Sequence, residues 1–261
     1  MMATAARRDW PRIATRAALI LSIGGVAAAL IGSIGSGAGA WHFRTGFAVL
    51  QYALFAAVAG IVLALVALVW ARARRRGGLL VPNLVALVVA LGFVLFVGNL
   101  IRTAKSVPPI HDVTTNLADV PQFEVLKVRA DNMEGMPDMD RAELKRLNPE
   151  QRWKAMHGEA YGDLKTVRMA VPPAEAIRRA EALARKNGWE IAKADPAAGR
   201  LEATATSLFF RFKDDVVVRA RPAPGGGSLV DMRSVSRVGM SDVGMNAKRV
   251  RAFMADLSGA S

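Results

Sequence analysis

The chain has 261 residues, 52% of them hydrophobic, with no cysteine and a formal net charge of +13. The absence of cysteine excludes disulfides, thiolate nucleophiles and thiolate-bound metals. So basic a chain ordinarily points to nucleic acid, but the charge is unevenly placed. Asp9 is the last acidic residue before Asp112, so residues 1–107 carry eleven Lys/Arg against one Asp, while 108–261 hold 24 basic and 21 acidic residues. The excess flanks apolar runs, where basic residues set membrane orientation, and nucleic acid is therefore not an expected partner.

A membrane-spanning helix needs about twenty mostly apolar residues. Residues 17–37, 46–70 and 79–101 each qualify, and none of these runs contains an acidic or basic side chain. The first also has the outline of a signal peptide, with Ala38-Gly39-Ala40 imitating a cleavage site. Two further spans follow directly and Trp41-His42-Phe43-Arg44 reads as an interfacial turn, so the first run is expected to be retained. Arg7, Arg8, Arg12 and Arg16 precede it, and Arg72, Arg74, Arg75 and Arg76 separate the second and third spans, whereas the first loop has only Arg44. Arginine-rich segments stay in the cytoplasm, which predicts an extracytoplasmic C-terminal domain; Arg102 and Lys105 weigh weakly against it. Gly24, Ala28, Gly32 and Ser36 form a small-residue stripe, expected to serve packing within the helix bundle rather than a dimer seam. Asn83 and Asn99 lie near opposite ends of the third span, where interfacial water is expected to satisfy them. The lack of charged groups inside the spans argues against an ion pathway.

The rest of the chain, 108–261, reads as one soluble domain after a membrane domain of residues 1–107. Residues 105–121 are expected to be an extended linker stiffened by Pro108-Pro109. The segment 131–160 is charged and holds Met133, Met136, Met139 and Met156. Adaptable gap-filling hydrophobes on a mobile excursion are expected there, not a soft-metal site. Within it Asn148 caps a helix, Pro149 suits its first position, Gln151 completes a capping box and Gly158 stops it.

Beyond residue 163 the periods become clear. A strand is expected over 164–170, then a helix from Pro172-Pro173 to Asn187-Gly188 with Ala176, Ile177, Ala180, Leu183 and Ala184 at helical spacing. Strands follow at 189–194, 200–206, 210–221 and 229–238, the last two separated by the glycine-rich 223–227. Ser241 or Asp242 can cap a final helix, 243–257. The order β-α-β-β-β-β-α predicts an α+β fold: a mainly antiparallel sheet with helices packed on one face.

The other face carries the chemical clue. Alternation groups Asp231, Arg233, Val235 and Arg237 on one strand, and Asp215, Val217, Arg219 and Arg221 on its partner. A hairpin closed symmetrically on the glycine run sets Arg221 against Asp231, Asp215 against Arg237, and Arg219 against Arg233. Opposed like charges are unfavourable unless neutralised, whether by Glu202, Asp214 or Asp242, or by an external anion. Arg219, Arg233, Arg237, Asp215, Asp231 and Asp242 are thus the candidate ligand-binding residues; the plain alternative is a solvated face of cross-strand ion pairs.

The runs PPIHDVTT (108–115), GWEI (188–191), GRLEATATS (199–207), FKDDVVVR (212–219) and VDMRSVSRVGMSDVGMNAKRVRAFM (230–254) resemble the bacterial domain of unknown function 1499 family. The resemblance covers most of 108–257 and departs at 131–160, which looks like an insertion. It implies hydrophobic N-terminal helices in similar proteins and no established activity, substrate or catalytic residue.

Catalytic signals are sparse. His42, His111 and His157 have no metal-ligand spacing, so neither metal nor cofactor is expected. His111-Asp112 could act as a base on Ser234 or Ser236, though an ordinary linker histidine is the simpler expectation. Asp214-Asp215 point to opposite faces. The turn at 241–244 offers N–H groups at a helix N-terminus, an anion site in principle. The reading is a membrane-anchored protein of the bacterial inner membrane, with a non-enzymatic domain that binds an anionic ligand or an envelope partner. The lipid bilayer itself is a partner, with anionic lipid or an envelope protein as further ones. A structural subunit of a membrane complex, and a hydrolase or transferase, stay open as alternatives. Oligomeric state is not legible.

Overall fold

A computed structural model describes residues 9–259. Arg7 and Arg8, which enter the orientation argument, lie outside the described residues. The chain divides into two compact units, one of Met1–Ile101 with Leu208–Arg211, the other of Arg102–Ser207 with Phe212–Ser261.

Three helices are long and apolar enough to cross a membrane: α1 (Trp10–Gly37), α2 (Phe43–Ala73) and α3 (Leu80–Ser106), the last preceded by a 3-10 turn, Gly77–Leu79. Each outruns its apolar stretch because the flanking polar residues still make helical hydrogen bonds. Helices in lipid gain nothing from hiding apolar surface from one another, so close backbone approach decides their packing. Helix α1 buries Ala18, Ser22, Gly25, Ala29 and Gly32, and α2 buries Ala53, Ala57, Gly60, Ala64 and Ala67. A Cβ on Gly25 would stand 3.1 Å from the Ala53 carbonyl oxygen, and one on Gly60 would stand 2.6 Å from Ser22 Oγ.

The seam therefore differs from the expected stripe. Gly24 faces open space, and of the four expected residues only Gly32 is buried. A strict spacing of four rotates by about 40° per step on a helix of 3.6 residues per turn. Alternating intervals of four and three hold one face. Asn83 is likewise not left to water: it is fully buried, and its Nδ2 donates to Thr15 Oγ1 at 2.9 Å and to the Leu79 carbonyl at 2.8 Å. On the outer faces Ile20, Val69, Val88 and Leu95 stand exposed, as lipid contact requires.

The second unit is α+β, built on a six-stranded sheet ordered β1-β6-β5-β4-β3, with β2 also paired to β6 and every pairing antiparallel. The strands are β1 (Asp112–Thr114), β2 (Val167–Met169), β3 (Glu190–Asp195), β4 (Arg200–Thr206), β5 (Lys213–Pro222) and β6 (Ser228–Ser236). One face supplies Leu201, Val216, Val218, Val230 and Met232 to the core, covered by Ile177 of α6 (Pro173–Lys186) and by Val250 and Phe253 of α7 (Met245–Gly259). Trp189 stacks on Phe253 with ring centroids 4.9 Å apart. Full burial of each such side chain contributes about 1.5–3 kcal/mol.

Four local expectations change. The supposed linker contains β1, and Ile110 and Val113 are fully buried in the core. The supposed mobile excursion is also core: Met136, Leu144, Trp153 and Met156 join the same cluster, and only Met139 among the four methionines is exposed. Its short helix α4 (Ala142–Lys145) leads to α5 (Pro149–Tyr161), which has the capping box read from Asn148 and Gln151. Helix α5 runs through Gly158 to Tyr161. An interior glycine costs only about 1 kcal/mol, and the buried Trp153, Met156, His157 and Tyr161 outweigh it. Finally, α7 begins at Met245 because Val243 and Gly244 have φ of 57° and 77°.

Candidate functional site

The charged face follows from hairpin register. Pro222 pairs with Ser228, so 223–227 form the turn, closed by the Ala223 N–H donating to the Gly227 carbonyl at 3.1 Å. Gly225, Gly226 and Gly227 all have positive φ, which lets the chain reverse there. The register is two residues from symmetric closure on the glycine run. Arg219 lies opposite Asp231, and Arg233 lies opposite Val217, so the expected Arg219–Arg233 apposition does not form. Arg221 and Asp231, like Arg237 and Asp215, are diagonal neighbours that still bond, at 2.8 and 2.9 Å.

Nor is this face solvated throughout: Asp231 and Arg233 are buried, while Arg221 and Arg237 stay part-exposed. Residues 116–132, without regular secondary structure, lie across it as a strap. Asp119 takes Arg219 Nη1 at 3.1 Å and Arg221 Nη1 at 2.8 Å, and these guanidinium groups hold its carboxyl below the usual carboxylate range. The Phe123 ring stacks on the Arg233 guanidinium at 5.7 Å. Arg233 meets Asp112 in a fork, Nε to Oδ1 at 2.9 Å and Nη2 to Oδ2 at 2.6 Å, with both side chains buried. Glu202, expected to neutralise Arg219 and Arg233, lies 3.9 Å from Arg200 and accepts the N–H groups of Glu124, Val125 and Leu126 at 2.6, 3.0 and 2.8 Å. A fully buried carboxylate thus pins the strap through backbone donors.

Asp242 stands apart from this cluster. It caps the start of α7, accepting from Gly244 N at 2.8 Å and Asn246 N at 2.6 Å. Burial pushes its carboxyl above the ordinary value, opposed by those two donors. Asp214 binds Arg249 at 2.6 Å on the helical face, while Asp215 binds Arg237 on the opposite one. The six candidate residues therefore hold partners within the chain, and Arg237, with 42% of its side chain exposed, is the most open of the arginines among them.

His111, Asp112, Ser234 and Ser236 each hold partners other than one another. His111 faces the Met240 carbonyl and Asn132 Oδ1, each at 3.1 Å. Asp112 serves Arg233 and Asn132. Ser234 Oγ donates to Asn246 Oδ1 at 2.6 Å, and Ser236 Oγ accepts from Asn246 Nδ2. Among the described residues no group of three His, Cys, Asp or Glu side chains could hold a metal ion.

A feature outside the sequence reading lies beside this network. A cleft of about 400 Å³ opens between residues 114–118 and the stretch 157–166. His157, fully enclosed, lines it; its Nε2 accepts the Thr114 N–H at 3.0 Å, which leaves the proton of the neutral ring on Nδ1. Nδ1 has no hydrogen-bond partner among the described residues. Burial drives the imidazole below its ordinary value, against a nearby Asp112, so the neutral tautomer dominates at pH 7. Tyr161 also lines the cleft; its buried hydroxyl has no hydrogen-bond partner among the described residues and is pushed up to about 12, chiefly by burial. At the rim, Lys165 is exposed and makes no ion pair among the described residues. Asn116, Thr115 and Thr166 meet over the buried Asp231, with Thr166 Oγ1 at 2.5 Å from its carboxylate.

One signal for this cleft was legible. Trp153, His157 and Tyr161 recur every fourth residue on α5, with neighbouring rings 5.8 and 5.7 Å apart. An aromatic stripe at that spacing marks a buried helix face. Its juxtaposition with 114–118 depends on β1, which lies within the stretch expected to be a linker.

No curated protein and no solved structure matches this chain. A family model described as "Protein of unknown function (DUF1499)" matches residues 112–257, a span that includes the strap, the charged face and the cleft. That match takes in more than half of the sequence, and the chain belongs to the DUF1499 family.

Proposed function

We propose that this protein is a non-enzymatic binding module of the bacterial cell envelope, anchored in the inner membrane, whose extracytoplasmic domain takes a small anionic group in the cleft between 114–118 and 157–166. The observation that carries this reading is that one cleft is lined both by His157, whose buried Nδ1 has no hydrogen-bond partner among the described residues, and by the exposed Lys165, which has no ion pair among them. A buried donor without a partner costs about 1–3 kcal/mol, and a ligand oxygen would supply the missing acceptor. The arginine face supports binding less well, because its charges are matched by Asp112, Asp119, Asp215 and Asp231.

The test is thermal unfolding of the full chain in detergent, with inorganic phosphate compared against chloride at equal ionic strength. Phosphate should raise the unfolding temperature by selective binding to the native state. Lys165→Ala should remove that increment and leave the chloride baseline intact, since Lys165 is exposed and holds no ion pair among the described residues. An increment that survives Lys165→Ala but disappears in Arg237→Ala would move the site to the arginine face. No increment in the wild-type chain would sink the anion reading.

A further inference from the structure

Strands β4 and β5 are joined by Ser207-Leu208-Phe209-Phe210-Arg211-Phe212. The connection is a built turn: Ser207 N donates to the Phe212 carbonyl at 2.9 Å, and Phe212 N donates back to Ser207 Oγ at 2.8 Å. Arg211 takes the left-handed conformation, with φ of 55°, to close it. This hydrogen-bonded tip holds Leu208 78% exposed and Phe209 45% exposed. Leaving two adjacent large apolar side chains in water forgoes the free energy of their burial. Their presence on an ordered turn calls for an apolar partner.

We propose that this hairpin tip inserts into the interfacial region of the same bilayer that the chain's own helices enter. Three observations select lipid as the occupant. First, α3 ends at Ser106 and β1 begins at Asp112. The intervening residues, extended, reach roughly 20 Å at 3.3–3.6 Å each. A lipid surface is thus always within reach of the domain, at high effective concentration. Second, the tip combines leucine and phenylalanine with flanking Arg211 and Lys213. Apolar and aromatic groups beside basic ones are the composition that headgroup regions accept. Third, those cations complement anionic headgroups. The inference is independent of the cleft and of any ligand bound there.

The native chain has no cysteine, so single cysteines can report position in the full-length protein. The protein would be reconstituted into vesicles of phosphatidylethanolamine and phosphatidylglycerol and spin-labelled at Leu208→Cys. Accessibility to dissolved oxygen would be compared with accessibility to a water-soluble nickel chelate. Leu95→Cys, on the exposed outer face of α3, is the lipid reference. Ala197→Cys, exposed in the β3–β4 turn at the far end of the sheet, is the water reference. The Leu208→Cys label should show an oxygen-to-nickel ratio several-fold above that of Ala197→Cys, shifted toward Leu95→Cys. Phe209→Cys should repeat the result, which guards against a local disturbance at one position. A ratio matching Ala197→Cys overturns the proposal, as does shielding from both reagents, which would place a protein partner or a second copy on the tip.

Discussion

Arg233 illustrates how a charge that reads as surface chemistry becomes interior structure. It sits beneath Phe123 with 7% of its side chain exposed and forks onto a fully buried Asp112. Removing one member of such a pair leaves an uncompensated buried charge, which costs about 3–5 kcal/mol. Asp112→Ala and Arg233→Ala should each lower stability by that amount in chemical denaturation of the full chain. The double substitution should cost much less than the sum, because the two share one interaction. Arg221→Ala, at a side chain 39% exposed, should cost less than about 1 kcal/mol. Equal losses at Arg221 and Arg233 would contradict the covered face. Alternation made it legible that these residues share a face. Their burial was not, because the covering segment has no period of its own to reveal where it lies.

At the scale of elements, the segment 131–160 is the clearest divergence between pattern and packing. Its charges disguise a small set of apolar contacts: Met136, Leu144, Trp153 and Met156 all enter the core, and Trp153 Nε1 donates to the Asp112 carbonyl at 2.7 Å. Truncating one buried tryptophan costs about 3–5 kcal/mol, within a total stability of about 5–15 kcal/mol. Replacing 131–160 by a short Gly/Ser bridge should therefore abolish cooperative unfolding, followed by tryptophan fluorescence or near-UV circular dichroism. A cooperative transition retained after that deletion would show that α5 is dispensable to the fold. By contrast, the capping box at Asn148 and the helix opened by Pro173 were legible, because caps and amphipathic spacing are local. The glycine-rich turn was legible as a turn, but its register was not. A shift of two residues preserves every side chain's face, so the hydrophobic pattern does not distinguish the two pairings.

At the scale of the whole molecule, orientation rests on charge. The positive-inside preference of the arginine-rich segments predicts that a reporter fused to the C-terminus is extracytoplasmic. Alkaline phosphatase should be active there and a cytoplasm-dependent fluorescent protein dark. Neutralising Arg72, Arg74, Arg75 and Arg76 together should erode that difference. The reverse pattern in the unaltered chain would invert the assignment and remove the envelope reading with it.

Sequence alone determined the three spans, the α+β class and which residues share a strand face. Each follows from a short-range rule: hydrocarbon thickness, a helical period of 3.6, or a strand period of two. Tertiary structure alone decided that the centre of the charged face is covered, that α5 belongs to the core, and that His157 and Lys165 line one cleft. Those features join residues from β1, the strap and α5 that are tens of positions apart. No local period encodes such contacts; they are settled only when buried donors, acceptors and charges find partners at the same time.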